Sequence, residues 1–195
     1  MVSVCVYCGS SNRVAPKYIE SAHEVGTTLA RHNIRLVYGG GRTGLMGVVA
    51  DAALAHGGEV VGVIPKDLVT KEGRHPVLKH LHVVDDMHER KMMMVKLSDM
   101  FVVLPGGLGT LDELFEVLTW KQLGFHNKKI IIFNIHGFWQ PLLQMIDHII
   151  AHKFAPTNNK LLYDVIDNLD TLMAAIESPA MPELDSSEKW SSNQG

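Results

Sequence analysis

Seven short apolar runs, rich in β-branched residues, alternate with stretches of helical periodicity, and this alternation constrains the fold more than any other feature. The runs lie at residues 2–7, 34–38, 59–64, 80–84, 100–104, 129–134 and 161–166. Strands joined by crossover helices pair in parallel and need cover on both sides. The chain is therefore expected to be α/β: a parallel sheet with helices on both faces. Helices are predicted over 16–31, from after Gly47 to about Ala55, and over 87–97, 111–123 and 137–152, with a closing one capped by Asn168 or Asp170 and ending near Glu177. Residues 1–177 are expected to form one domain. Residues 178–195 carry Pro179, Pro182 and a serine-rich run, and are expected to be a disordered tail.

Composition narrows the partners. The 195 residues are 46% hydrophobic and 20% charged, with a net charge of −3 and a pI near 6.4. No basic field recruits nucleic acid or a membrane surface. No signal core opens the chain, and no apolar run reaches the ~18 residues of a membrane span, so the cytoplasm is the expected location. Cys5 and Cys8 spell CxxC, but residues three apart on a strand point to opposite faces. Cys5 is read as core and Cys8 as part of the turn Cys8-Gly9-Ser10-Ser11. The eleven histidines lack HExxH or similar ligand spacing and are expected to be mostly solvated, so no metal site is predicted.

The most informative stretch is Leu104-Pro105-Gly106-Gly107-Leu108-Gly109-Thr110-Leu111-Asp112-Glu113, between a predicted strand and a predicted helix. Its glycines present no Cβ to hold a ligand off the backbone. N–H groups at a helix start, with the positive end of the dipole, make an anion site suited to a phosphate. Glu113 would then stand one turn from the phosphate, at sugar distance. A second reading is structural: Thr110-x-x-Glu113 fits a capping box, with Asp112 and Glu116 complementing the helix dipole. Leu111, Leu114, Phe115 and Leu118 form the stripe expected against the sheet. Glu113, Val117, Trp120 and Gly124 form a second stripe, expected to border a pocket or a partner subunit.

A second glycine pattern, Gly39-x-Gly41-x-x-Gly44, also lies between strand and helix and matches a dinucleotide fingerprint. The acid that should end the next strand is missing, because that strand closes Val63-Ile64-Pro65-Lys66 and Glu59 sits at its start. Nucleotide or phosphate binding stays open for this loop, through Gly40, Gly41 and Gly44, as does an NAD-dependent oxidoreductase. Residues 65–76 form a polar loop long enough to close over a ligand. Asp86-x-x-Glu89 reads as a capping box opening a helix that carries Arg90 and Lys91, and Arg90 suits bidentate anion contacts.

Together, Cys8-Gly9-Ser10-Ser11, Tyr38-Gly39-Gly40-Gly41-x-x-Gly44-Leu45-Met46-Gly47, Met87-His88-Glu89-Arg90-Lys91, Pro105-Gly106-Gly107-x-Gly109-Thr110-x-x-Glu113 and Thr119-Trp120-Lys121-Gln122-Leu123-Gly124 resemble the Lonely Guy family. Its members are cytokinin riboside 5′-monophosphate phosphoribohydrolases, often misnamed lysine decarboxylases. The likeness runs in order over residues 2–176. It implies that residues 1–177 are a Rossmann-like, doubly wound nucleotide-binding catalytic domain, in a cofactor-free homodimer that hydrolyses the N-glycosidic bond of a purine nucleoside 5′-monophosphate, AMP or an N6-prenylated AMP. It implies Arg90 and Glu113 as the catalytic pair and Glu72, Lys91 and Gly106, Gly107, Leu108, Gly109, Thr110, Leu111 and Asp112 as substrate contacts, with Glu116 and Thr119 beside them. An AMP nucleosidase acting mainly on plain AMP is the nearest alternative. The chain also distantly resembles molybdenum-cofactor carriers, which keeps a non-catalytic nucleotide-binding module in play.

Overall fold

The computed structural model describes residues 1–70 and 75–178. Strands β1 (Ser3–Tyr7), β2 (Arg35–Tyr38), β3 (Val60–Pro65), β4 (His80–Val84), β5 (Met100–Val103), β6 (Lys129–Phe133) and β7 (Asp164–Ile166) form one sheet. All pairings are parallel, in the order β4-β3-β2-β1-β5-β6-β7. The connecting helices are α1 (Pro16–Arg31), α2 (Gly44–Ala55), the single turn α3 (Lys66–Leu68), α4 (Met87–Lys96), α5 (Leu108–Gln122), α6 (Gln140–Ala151) and α7 (Leu169–Glu177).

Alternation along the strands distributes the core over two layers. Val4 and Val6 of β1, Ile131 and Phe133 of β6 pack with Leu29 of α1, Val49 of α2 and Leu172 of α7. Cys5 and Tyr7, Ile130 and Ile132 pack with Met94 of α4, Leu114 of α5 and Ile146 of α6. These strand residues are at most 2% exposed. Each fully buried side chain of this size contributes roughly 1.5–3 kcal/mol. The two cysteines, free and buried, lie in opposite layers, as a spacing of three on an extended chain requires.

Several boundaries move. Helix α2 begins at Gly44, inside the glycine stretch expected to precede it, α5 begins three residues before its predicted start, and α6 begins at Gln140 after a 3-10 turn, Ile135–Gly137. Residues 161 and 162, expected in the last strand, belong to a 3-10 segment, Thr157–Leu162, leaving β7 only three residues. Ser178, placed in the expected tail, instead closes α7: its carbonyl and hydroxyl hold Lys129 Nζ at 2.9 and 2.7 Å. The rest of that tail lies outside the described residues. Among the described residues no helix is long and apolar enough to cross a membrane.

One consequence of the strand order sets the position of the site. The chain lays down β1 to β4 in one direction, then returns to place β5 against the other side of β1. The loops leaving β1 and β5 therefore lead to helices on opposite faces of the sheet, and such switch points open a crevice in doubly wound sheets.

Candidate active site

A cavity of about 480 Å³ occupies that crevice. Its floor is where the two loops touch: Gly9 N donates to Pro105 O at 3.0 Å and Leu104 N to Tyr7 O at 2.9 Å. Its wall combines Gly106, Gly107, Leu108, Gly109, Thr110, Glu113 and Arg90 with an apolar part from Val14, Ala15, Tyr18, Leu45, Met46 and Phe138. Tyr18 and Phe138 meet edge to face, with centroids 5.4 Å apart. Such a wall suits a ligand with an anionic part and a flat apolar part.

The glycine loop after β5 opens α5 directly. Gly107 is the N-cap, no side chain caps the helix, and its first turn carries no acid. Thr110 is therefore inside the helix, and the capping box expected from Thr110 and Glu113 does not form. Thr110 is 3% exposed, and a Cβ on Gly106 would lie 2.1 Å from its Oγ1. Cβ atoms at Gly107 and Gly109 would meet nothing, since both residues border the cavity. N–H groups of a first turn have no acceptor within their helix, and here they open on a cavity with the dipole's positive end uncompensated. This is anion-binding geometry.

Arg90 is presented by the start of α4, which Asp86 fixes. Asp86 Oδ1 accepts from Glu89 N at 2.8 Å, and Glu89 Oε2 accepts from Asp85 N at 2.8 Å, a capping box displaced by one residue from the expected reciprocal bond. Arg90 is 5% exposed, and backbone carbonyls hold its guanidinium. Nε donates to Val63 O at 3.2 Å and Nη2 to Gly39 O at 2.9 Å, anchoring it on the ends of β3 and β2. Glu113, half-buried on α5, joins the same wall. Both charges act on Cys8 between them: burial pushes its thiol up, the Glu113 carboxylate adds to that, and Arg90 opposes it.

The other glycine loop is differently used. Gly44 N donates to Asn12 Oδ1 at 2.7 Å and Leu45 N to Gly9 O at 2.9 Å, so the first amides of α2 are occupied by the β1–α1 loop. Gly44 has φ +59, and a Cβ there would sit 2.3 Å from the Ser10 carbonyl carbon. The Gly40 carbonyl accepts from His75 N at 3.2 Å, and Gly41 is buried. None of Gly40, Gly41 and Gly44 lines the cavity; they shape the loop, while Gly39 and Met46 reach the wall.

Further predicted contacts also lie off the wall. Lys91 Nζ pairs with Glu116 Oε1 at 3.0 Å and Asp112 Oδ2 at 3.2 Å, binding α4 to α5. Burial pulls the Lys91 pKa down, but these two carboxylates outweigh it and leave the ammonium above its ordinary value. Leu111 packs on the core, Thr119 is exposed, and Glu72 lies outside the described residues. The second stripe of α5 is divided: Glu113 faces the cavity, Trp120 is half-buried, and Val117 is fully buried in the core. His75, expected in solvent, is 3% exposed with Nε2 3.0 Å from Asp51 Oδ1. Sequence reasoning did not single out Asn12, Tyr18 or Phe138 for the site. Among the described residues no group of three or more His, Cys, Asp or Glu is placed to hold a metal ion.

A family model described as possible lysine decarboxylase matches residues 46–176. The chain is 46% identical over 178 residues to a cytokinin riboside 5′-monophosphate phosphoribohydrolase of Rhodococcoides fascians, covering 91% of this chain and 90% of that protein. It is 45% identical over 160 residues to an enzyme of the same name from Arabidopsis thaliana, covering 82% and 75%. In fold it is similar to the molybdenum cofactor binding protein of Rippkaea orientalis, with TM-score 0.69, 19% identity and coverage of 90% and 95%. A molybdenum cofactor carrier protein of Chlamydomonas reinhardtii gives TM-score 0.68 at 19% identity, with the same coverage. At that identity the likeness is one of fold.

Proposed function

The chain belongs to the Lonely Guy family, and on that premise we propose that it hydrolyses cytokinin riboside 5′-monophosphates to the free base and ribose 5-phosphate. The observation that carries this reading is the convergence, in one cavity, of an open helix N-terminus, an anchored arginine and a carboxylate. The 5′-phosphate sits on the first-turn amides of α5, in the loop Gly106-Gly107-Leu108-Gly109-Thr110. That places the ribose between Arg90 and Glu113 and turns the base toward Tyr18 and Phe138.

As the C1′–N9 bond breaks, its electron pair leaves with the base and positive charge builds on the ribose. The Glu113 carboxylate stabilises that oxocarbenium character and orients a water. The water's oxygen bonds to C1′ and its proton passes, directly or through Glu113, to the departing base. Arg90 holds the phosphate or a ribose hydroxyl, so binding energy at the phosphate fixes the sugar for attack. Lys91, Asp112 and Glu116 stiffen the α4–α5 seam that carries both catalytic residues, and Glu72 adds a substrate contact. Lysine decarboxylation by pyridoxal chemistry is disfavoured, because among the described residues no lysine lines the cavity to form a Schiff base.

A homodimer in the cytoplasm completes the reading. The half-buried Trp120 and the exposed Leu123 and Phe125 give the end of α5 an apolar surface for a second copy to cover. Sedimentation should find a dimer at micromolar concentration; a monomer refutes this part. The activity is tested by incubating the protein with isopentenyl-AMP and AMP side by side and following free base and ribose 5-phosphate. Release from isopentenyl-AMP is expected. Release from AMP alone would make the chain an AMP nucleosidase, and intact bound nucleotide would make it a carrier of the same fold.

A further inference from the structure

We infer that Gly39 is a positioning residue for Arg90, its missing side chain being the space in which the guanidinium lies. This rests on the role given to Arg90 in the proposed function. The backbone does not require glycine here: Gly40 and Gly44 have positive φ, whereas Gly39 does not. What requires it is contact. A Cβ built on Gly39 falls 1.9 Å from Arg90 Nη2 and 3.0 Å from Cζ, far inside van der Waals range. The next nearest atom, Met46 Sδ at 3.2 Å, belongs to a flexible side chain.

The same residue also supplies the acceptor. Gly39 O takes a hydrogen bond from Nη2 at 2.9 Å while Val63 O takes one from Nε at 3.2 Å, so the fork is held at two points on adjacent strand ends. A planar head bound this way has its orientation fixed by two backbone carbonyls. Any side chain at position 39 must push Nη2 off the carbonyl. Arg90 is 5% exposed, so the head turns into the cavity rather than out to solvent. The first glycine of the dinucleotide-like pattern thus serves a protein cation instead of a pyrophosphate.

The test is a double-mutant cycle read by single-turnover release of base from isopentenyl-AMP. Gly39→Ala should slow release ~100-fold, the scale of an ångström-sized misplacement, with the melting temperature unchanged. In an Arg90→Ala background the same substitution should change the rate by less than about twofold, since no guanidinium remains to displace. A purely structural glycine predicts equal factors in both backgrounds, and that result, or a wild-type rate in Gly39→Ala, overturns the inference. Should Gly39→Ala fail to fold, adding Arg90→Ala must restore the fold, because the contact is with that side chain; failure to restore it also overturns the inference. Full activity in Arg90→Ala alone instead removes Arg90 from the proposed mechanism.

Discussion

Glu113→Gln separates chemistry from architecture at this site. Had Glu113 closed a capping box with Thr110, its loss would cost about 1 kcal/mol of stability and leave the rate alone. The helix is instead capped at Gly107, six residues earlier, and Glu113 borders the cavity. The amide is isosteric with the acid, so stability should stay within ~0.5 kcal/mol of wild type. The rate is another matter. Two unit charges ~4 Å apart at an effective dielectric of ~20 attract by ~4 kcal/mol. Only part of a unit charge builds on the ribose, and the amide dipole keeps part of the attraction. A net loss of at least ~2.7 kcal/mol, or ~100-fold in turnover, is the expected scale. The assay is single-turnover base release at saturating enzyme, with thermal denaturation and AMP binding measured on the same preparation. A folded variant that binds AMP and turns over within tenfold of wild type refutes the mechanism.

Bare nucleosides should be cleaved ~100- to 1000-fold less efficiently than their monophosphates in kcat/KM, with part of the loss in kcat, because phosphate binding energy orients the remote sugar. Equal cleavage of adenosine and AMP, or of isopentenyladenosine and its monophosphate, would show that the α5 loop is not a phosphate anchor. The two glycine loops should respond oppositely to alanine. Gly44→Ala, at positive φ and 2.3 Å from backbone, should lower stability by more than ~1 kcal/mol, whereas Gly109→Ala should raise it by up to ~1 kcal/mol and weaken AMP binding. Urea melts of both variants, with AMP titrations, check this; a destabilised Gly109→Ala contradicts it. His126 should contribute to acid sensitivity. Burial lowers its pKa, opposed by its bond to Val117 O at 3.0 Å. Below about pH 6.5 the unfolded chain then binds more protons than the folded one, so this group's contribution to stability falls as pH drops. His126→Gln should lose less stability than wild type between pH 7 and pH 5, and an equal loss would count against that assignment.

How far the sequence exposes this molecule depends on the range over which each signal acts. Period and punctuation are local, so α1 starts at Pro16 and ends at Arg31 as predicted, and β4 keeps both its bounds. The Asp86 cap is equally local, and the helix it starts carries Arg90 to the cavity wall. The start of α5 is misread because Gly107 and Gly109 look like loop residues. Their low helix propensity is overridden by a fold that needs the helix end at the crevice. Val117 is misassigned for a related reason: α5 is buried over a wider arc than one stripe, with Leu114, Val117 and Leu118 all in contact with the sheet layer. The apolar wall had no local signal. Val14, Ala15 and Tyr18 at the start of α1 meet Phe138 only because β1 and β6 stand on either side of β5, a juxtaposition set by strand order. The burial of His75 likewise depends on partners 24 and 35 positions away in sequence, Asp51 and Gly40.

The two glycine loops show why a motif needs its surroundings before it can name a ligand. Both follow a strand, both open a helix, and either could take an anion on sequence grounds. What separates them is the company their first-turn amides keep. In α2 those donors are met by Asn12 and Gly9, and a third glycine, Gly39, accommodates a guanidinium. That loop is thereby turned from an anion receptor into a support for a cation. In α5 no cap or acid intervenes, so its positive end is directed at the cavity that Arg90 also borders. The field at the cavity wall is thus positive from two independent sources, with Glu113 the one carboxylate among the described residues that line it. An arrangement of this kind favours a ligand whose own negative group is fixed while a neighbouring atom becomes positive. A ribosyl phosphate losing its base is such a ligand.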